Sequence, residues 1–337
     1  MARLRRWAWL GALLGVVFSG CGETTTDAQL DEWLEEARAA NAERRAAQPV
    51  AEPAPWTLEV IGEVERPETL DWSTILSLPA ESFEGPPHAD QADGAAPDVR
   101  WRGTRISTVL ERVGVMAGVE EVTLVAFDGF RATLSVEDLR RFPILLAYEA
   151  NGQPLPRERG GPLYSVLPVR EHPELAQRYD ARWWVFYVTH LLVGSPDVEV
   201  QVGSRTIDAS AFAALPQTSV STTVGYRVGW PSEPVTLRGV RLEEVLRSAS
   251  AELVHGARVR VQGLAPISRQ PERPTLLSTE EIAASDVMLA THWGEPLAPI
   301  SARLGGPVVL VLPQGVGEGH PSHDWLTFVT SLEVMAP

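Results

Sequence analysis

The chain has 337 residues, 44% of them hydrophobic and 22% charged, which is enough for two domains of ordinary size and excludes wholesale disorder. Its formal net charge is -15, which argues against a partner held through phosphates, and nucleic acid is not expected; the chain has no lysine. Cys21 is the only cysteine, leaving no thiol elsewhere for a disulfide, a soft-metal ligand or a nucleophile.

At the start, Arg3, Arg5 and Arg6 precede an uncharged run from Trp7 to Phe18, and Ser19-Gly20-Cys21 closes it. This is the layout of a bacterial lipoprotein signal over residues 1–21, which predicts cleavage before Cys21 and acylation of its sulfur. The run is shorter than the roughly 20 apolar residues of a spanning helix, so the expected membrane contact is the lipid on Cys21 and the expected place is the cell envelope. Gly22 rather than Asp after the cysteine resembles enteric lipoproteins sorted to the outer membrane. Residues 22–55 are predicted to form a stalk. Leu30, Trp33, Leu34 and Ala37 recur at helical spacing, and a proline-rich spacer, Gln48 to Pro55, follows. Trp33 offers a point of contact for an envelope protein partner.

From Trp56 onward four landmarks occur twice in the same order. Trp101-Arg102-Gly103 before the apolar Ile106 to Leu110 stretch matches Leu237-Arg238-Gly239 before Leu242 to Leu246. Gly152-Gln153-Pro154-Leu155 matches Gly294-Glu295-Pro296-Leu297, and Gly160-Gly161-Pro162 matches Gly305-Gly306-Pro307. Trp184 followed by Tyr187-Val188-Thr189 matches Trp325 followed by Phe328-Val329-Thr330. The offsets run from 136, for position 101 to 237, to 145, for position 160 to 305, so the expected copies are 56–197 and 198–337. Within each, β-branched runs such as Val122 to Val125, Val259 to Val261 and Val308 to Leu312 read as strands, with one or two helical stretches beside them. Such segregation predicts an α+β fold.

Trp-x-Gly before a helix, Asp128-Gly129-Phe130 after a strand, Leu145-Leu146-Ala147, Asn151-Gly152-x-Pro154-Leu155, Gly160-x-Pro162-Leu163 and a closing Trp-Val strand occur in this order. Together they resemble the oxidoreductase molybdopterin-binding domain of sulfite oxidases and periplasmic sulfoxide reductases. The first copy carries the resemblance clearly; the second carries it through the repeat, with Asp-Gly-Phe eroded to Gly263-Leu264. The resemblance implies two tandem domains of that type, the second degenerate. It also implies a molybdenum-binding cysteine before the Trp-x-Gly turn, a histidine and an arginine around Gly-x-Pro-Leu, and a basic residue before the closing tryptophan. Here the first region reads Ser82-Phe83-Glu84-Gly85 in one copy and Val220 to Trp230 in the other, without cysteine. The turn carries Arg159 and Tyr164 in the first copy, Leu304 and Val309 in the second, and Trp183 and Asp324 precede the tryptophans. The expectation is therefore a duplicated scaffold without cofactor, serving as a binding or accessory module. The alternative is a molybdopterin-dependent oxidoreductase with an atypical ligand set, in which Asp128, Arg159, Arg170 or Arg182 contacts the cofactor.

A third reading is a zinc or copper site at Gly319-His320-Pro321-Ser322-His323-Asp324, with His320, His323 and Asp324 as ligands. Of the other histidines, His88 reads as a solvated loop residue and His190 as a half-exposed strand residue, while His255 and His292 have no obvious partner. Glu120-Glu121, Glu243-Glu244 and Glu280-Glu281 read as solvated helix starts or loops. No serine elbow or phosphate-cradling loop is present.

Overall fold

The computed structural model describes residues 56–88, 97–127, 129–224, 230–251, 253–264, 275–313 and 326–337. The expected lipoprotein signal and stalk, Asp128 and the expected metal ligands His320, His323 and Asp324 lie outside the described residues. Residues 55–337 form one compact unit. Among the described residues no helix is long and apolar enough to cross a membrane.

The strands, in chain order, are β1 (Thr57–Gly62), β2 (Glu68–Asp71), β3 (Ala80–Gly85), β4 (Val99–Arg105), β5 (Glu121–Ala126), β6 (Arg131–Ser135), β7 (Leu145–Ala150), β8 (Gln153–Pro154), β9 (Tyr164–Val166) and β10 (Val188–Val193). The second half continues with β11 (Glu199–Val202), β12 (Arg205–Asp208), β13 (Gln217–Thr222), β14 (Val235–Arg241), β15 (Arg258–Gly263), β16 (Thr275–Ser278), β17 (Met288–Trp293), β18 (Ala298–Pro299), β19 (Val309–Val311) and β20 (Val329–Met335). In the first half they make the sheets β2-β1-β10-β5-β6 and β3-β4-β7-β8, with β9 also paired to β7. The second half has the sheets β12-β11-β20-β15-β16 and β13-β14-β17-β18, with β19 paired to β17, which is the same order. The largest core lies in the first half, among residues 58 to 193, and two smaller ones lie in the second.

Helices are short and more numerous than periodicity suggests: α1 (Trp72–Ser77), α2 (Ile106–Val113), α3 (Val136–Arg141), α4 (Pro173–Arg178), α5 (Ala209–Ala214), α6 (Leu242–Ser248) and α7 (Thr279–Ala284). Side-chain caps start several of them. The Asp71, Ser135 and Asp208 side chains accept the first free backbone N–H groups, and Ser278 with Glu281 makes a capping box. In α2 the buried Ile106, Val109, Leu110 and Val113 form one apolar stripe against the sheet. Glu243 and Glu244 sit in the first turn of α6, as the sequence suggests, and both pair with Arg247.

The second half packs on the outer face of the β1-β10-β5 sheet. Val125 and Leu192 are buried there with Ala302 and Phe328, flanked by Ile61 and Leu264. Arg131 fastens the same seam: its Nε donates to the Arg303 carbonyl at 2.9 Å and its guanidinium lies 5.6 Å from the Phe328 ring centre. β5 is consequently buried on both faces from Val122 to Ala126. The matching face of the second half is polar. Where β10 and β5 set His190 beside Val125 and Leu192 beside Thr123, β20 and β15 set Ser331 beside Gln262 and Glu333 beside Arg260. Ser331 Oγ donates to Gln262 Oε1 at 3.1 Å and Arg260 pairs with Glu333 at 2.9 Å. The sheet also alters the reading of three histidines. His190 is 8% exposed rather than half-exposed, held between Thr189 Oγ1 at 2.8 Å and Glu59 at 3.3 Å. His255 pairs with Glu280, and His292 with Thr291.

A buried acid braces α3. Asp138 accepts hydrogen bonds from Tyr179 Oη and from Arg178 Nη1, the latter at 2.6 Å, and its backbone N–H donates to Ser135 Oγ. Burial alone would raise its pKa, but the hydrogen bonds from Tyr179, Ser135 and Arg178 outweigh it, and the carboxyl titrates below the ordinary aspartate value. A carboxyl depressed in this way stabilises the fold above the unfolded pKa of about 3.9 and ceases to do so as pH falls through the lower folded value.

Two predictions follow from the packing. Asp138→Asn should lower stability at pH 7 by about 2 kcal/mol, and in chemical denaturation its deficit should shrink as pH falls below about 4 and the native carboxyl in turn takes up its proton. Leu192→Glu, which installs the residue found at the equivalent register position of the second half, should weaken the seam by about 2–4 kcal/mol. Calorimetry should then resolve two unfolding transitions in place of one.

Candidate functional site

A cleft of about 440 Å³ opens in the first half, lined by Pro87, His88, Val99, Trp101, Ala150, Asn151, Leu155, Arg159, Gly160, Tyr164, Phe186 and Tyr187. Trp101, near the start of β4, forms its floor. It is 4% exposed, its Nε1 donates to the Pro86 carbonyl at 3.1 Å, and that bond ties down the chain leaving β3. Gly103, two residues on, has no space for a Cβ because the Leu146 carbonyl of β7 occupies it, which accounts physically for the Trp-x-Gly motif. Asn151 turns the chain between β7 and β8 at φ 53°, and its Oδ1 accepts the Arg100 N–H at 2.9 Å while its own N–H donates to the Arg100 carbonyl at 2.8 Å.

The far wall is built on the Gly160-Gly161-Pro162 turn. Gly160 takes φ 88°, a region that L side chains rarely adopt, and a Cβ there would overlap the Phe186 ring. A Cβ on Gly161 would overlap the Leu155 carbonyl. The turn is further held by the Tyr187 N–H donating to the Gly160 carbonyl at 2.9 Å and by Tyr187 Oη donating to the Arg157 carbonyl at 2.7 Å. Tyr187 itself has φ 56°, a conformation that costs a non-glycine residue about 1 kcal/mol or more.

Aromatic rings line the interior. Phe186 stacks on Tyr164 at 4.4 Å and on His88 at 5.7 Å, each with a 14° interplanar angle. Trp101 meets Tyr164 edge-on at 5.5 Å, and the buried Trp184 lies below at 5.9 Å from both His88 and Tyr164. Trp184 Nε1 and Ser165 Oγ are buried without a hydrogen-bond partner. At the rim Arg159 is exposed and has no acidic partner among the described residues.

The equivalent region of the second half is filled. Trp230, 7% exposed, donates its Nε1 to the Leu304 carbonyl at 2.8 Å and meets Trp293 edge-on at 5.2 Å. Leu237, Leu304 and Val309, standing where the first half has Trp101, Arg159 and Tyr164, are buried in the same cluster.

Of the residues singled out from sequence, Arg159 lines the cleft. Arg170 pairs with Asp98 at 2.9 Å and Arg182 with Asp180 at 2.6 Å, and neither lines it. Asp128, His320, His323 and Asp324 lie outside the described residues. Among the described residues no three His, Cys, Asp or Glu side chains cluster as a metal site. His88 and Phe186 were not singled out; rather than being solvated, His88 packs on Trp184 and Phe186.

A family model described as "Oxidoreductase molybdopterin binding domain" matches part of the chain, and the region matched ends just beyond the Gly160 turn. Residues 45–171 match this domain. The chain is also 32% identical over 113 residues, 34% of its length, to a Bacillus subtilis protein named "Uncharacterized oxidoreductase YuiH", and the match spans 57% of that protein. It is 28% identical over 155 residues to a nitrate reductase [NAD(P)H] of Hordeum vulgare, with 36% of this chain and 17% of that enzyme covered. The chain thus spans little more than half the length of the first of these relatives and a minor part of the second. Among solved structures, the sulfane dehydrogenase SoxCD from Paracoccus pantotrophus aligns with 62% of this chain and 57% of its own at 14% identity, with a TM-score of 0.34.

The group that the domain's description implies does not fit the residues present. A thiolate ligand is lacking, because Cys21 is the sole cysteine of the sequence. A dianionic phosphate calls for several donors; among the described residues lining the cleft Arg159 is the one guanidinium, and Arg157 of the same turn places its guanidinium over the Phe127 ring.

Gly160→Ala should expel Phe186 from this stack and cost about 2–4 kcal/mol, from left-handed strain and overlap combined. Near-ultraviolet circular dichroism, which reports the packing of aromatic rings, should change while the far-ultraviolet spectrum is kept.

Proposed function

We propose that the chain is a lipid-anchored cell-envelope protein whose scaffold serves binding or an accessory role rather than redox catalysis. The observation that carries this reading is the make-up of the cleft, whose described lining is mostly rings with the single guanidinium of Arg159 and no cysteine. The second half is read as a degenerate copy of the same domain, supported by the repeated landmarks and the common strand order, with its cleft sealed by Trp230. Anchoring through Cys21 rests on the basic start, the apolar run and the small residues before the cysteine.

The second reading is a molybdopterin-dependent oxidoreductase with an atypical ligand set. It is favoured by the match of residues 45–171 to the domain and by the placement of Arg159 on the cleft wall.

Elemental analysis of the full chain, purified in detergent from cells that make molybdopterin, distinguishes the two. Less than about a tenth of a molybdenum atom per chain is expected, and a stoichiometric content would overturn the binding reading. In the same cells labelled palmitate should enter the protein and should fail to enter Cys21→Ser.

A further inference from the structure

We infer that the first-half cleft binds a planar aromatic carboxylate, with its ring against the Phe186, Tyr164 and His88 stack and its carboxylate on Arg159. The inference rests on reading this half as a binding module and adds the chemical class of the ligand. The cleft volume, about 440 Å³, lies in the range of small-molecule sites, and its walls are mostly aromatic and apolar.

Charge decides the sign of the ligand. None of the described residues lining the cleft is acidic, although the chain as a whole carries a formal charge of -15. Several arginines outside the cleft take acids as partners, Arg102 holding Glu149, Arg112 Glu68, Arg170 Asp98 and Arg241 Asp286, while others, such as Arg66 and Arg205, donate to backbone carbonyls. Arg159 faces the cleft without one. Asn151 adds a donor, because its Oδ1 is occupied by the Arg100 N–H and its amide NH2 is the end left for a ligand. An ammonium ligand would meet an uncompensated guanidinium at the rim, and a doubly charged phosphate would leave one charge unmatched between apolar walls.

Ring geometry decides the shape. Phe186 lies 14° from parallel to Tyr164 and 14° from parallel to His88, so its plane sets a common direction in the cleft along which a flat ligand can lie. An aliphatic acid would satisfy Arg159 but leave the rings without a partner.

The test is calorimetric titration of the full chain in detergent with 2-naphthoate, 2-naphthylmethylammonium and hexanoate, each corrected for binding to empty micelles. Naphthoate should bind at least tenfold more tightly than either of the others. Arg159→Gln should weaken naphthoate about tenfold to hundredfold, the effect of losing one charge-assisted hydrogen bond. Arg102→Gln, which alters an arginine already paired with Glu149 and outside the lining, should leave it unchanged. Absence of naphthoate binding, equal affinity for the ammonium compound, or an unchanged affinity in Arg159→Gln overturns the ligand class. Molybdenum assayed in the same sample separates the two levels: a metal-free protein that ignores naphthoate overturns only this inference, and a stoichiometric metal content overturns the reading beneath it.

Discussion

The Gly160-Gly161-Pro162 turn leaves no room for a side chain on either glycine, because the Phe186 ring closes over one and the Leu155 carbonyl abuts the other. The rest of the cleft is set by that approach. It brings the Arg159 backbone to the rim, fixes Tyr187 in a left-handed conformation through the bond to the Gly160 carbonyl, and stacks Phe186 on Tyr164 and His88. The same backbone arrangement recurs at Gly305-Gly306-Pro307, where the Phe328 N–H donates to the Gly305 carbonyl at 2.6 Å and Phe328 has φ 54°. There Thr327 takes the position over the glycine that Phe186 takes in the first half. One backbone solution therefore carries two different surfaces.

Side chains account for that difference. Arg159, Tyr164 and Trp101 give the first half rings and a charge around an open space, whereas Leu304, Val309 and Leu237 give the second half an aliphatic cluster that Trp230 completes. A tryptophan that is buried and spends its N–H on the Leu304 carbonyl has no polar group left for a ligand. The binding role proposed for the first-half cleft, and the reading of the second half as a degenerate copy, rest on this division.

Much of the framework was legible in the sequence because it depends on local backbone demands. The Trp-x-Gly motif marks a close strand approach, the Gly-Gly-Pro motif marks a turn, and the apolar spacing of Ile106, Val109, Leu110 and Val113 marks a helix. Six-residue helices such as α1, α3 and α5 were less visible, since fewer than two turns give little periodicity and their caps carry the signal. The cleft was only partly legible. Arg159 was found through the motif it interrupts, but His88 meets Phe186 across nearly a hundred positions, and a Pro-Pro-His loop contains no trace of that contact. His190 was misjudged for a related reason: its strand alternation describes one sheet, whereas the neighbouring Val125 and Leu192 are covered by residues from the other half.

The contrast between the two outer sheet faces has a consequence for assembly. Val125 and Leu192 accept Ala302 and Phe328, yet the corresponding places in the second half are taken by Gln262 and Glu333. A further unit of the same kind would have to bury an ion pair and an amide in order to stack, at a cost in desolvation. On this face the pairing is thus self-terminating: the first unit offers a socket, and the second fills it without offering the same socket in turn.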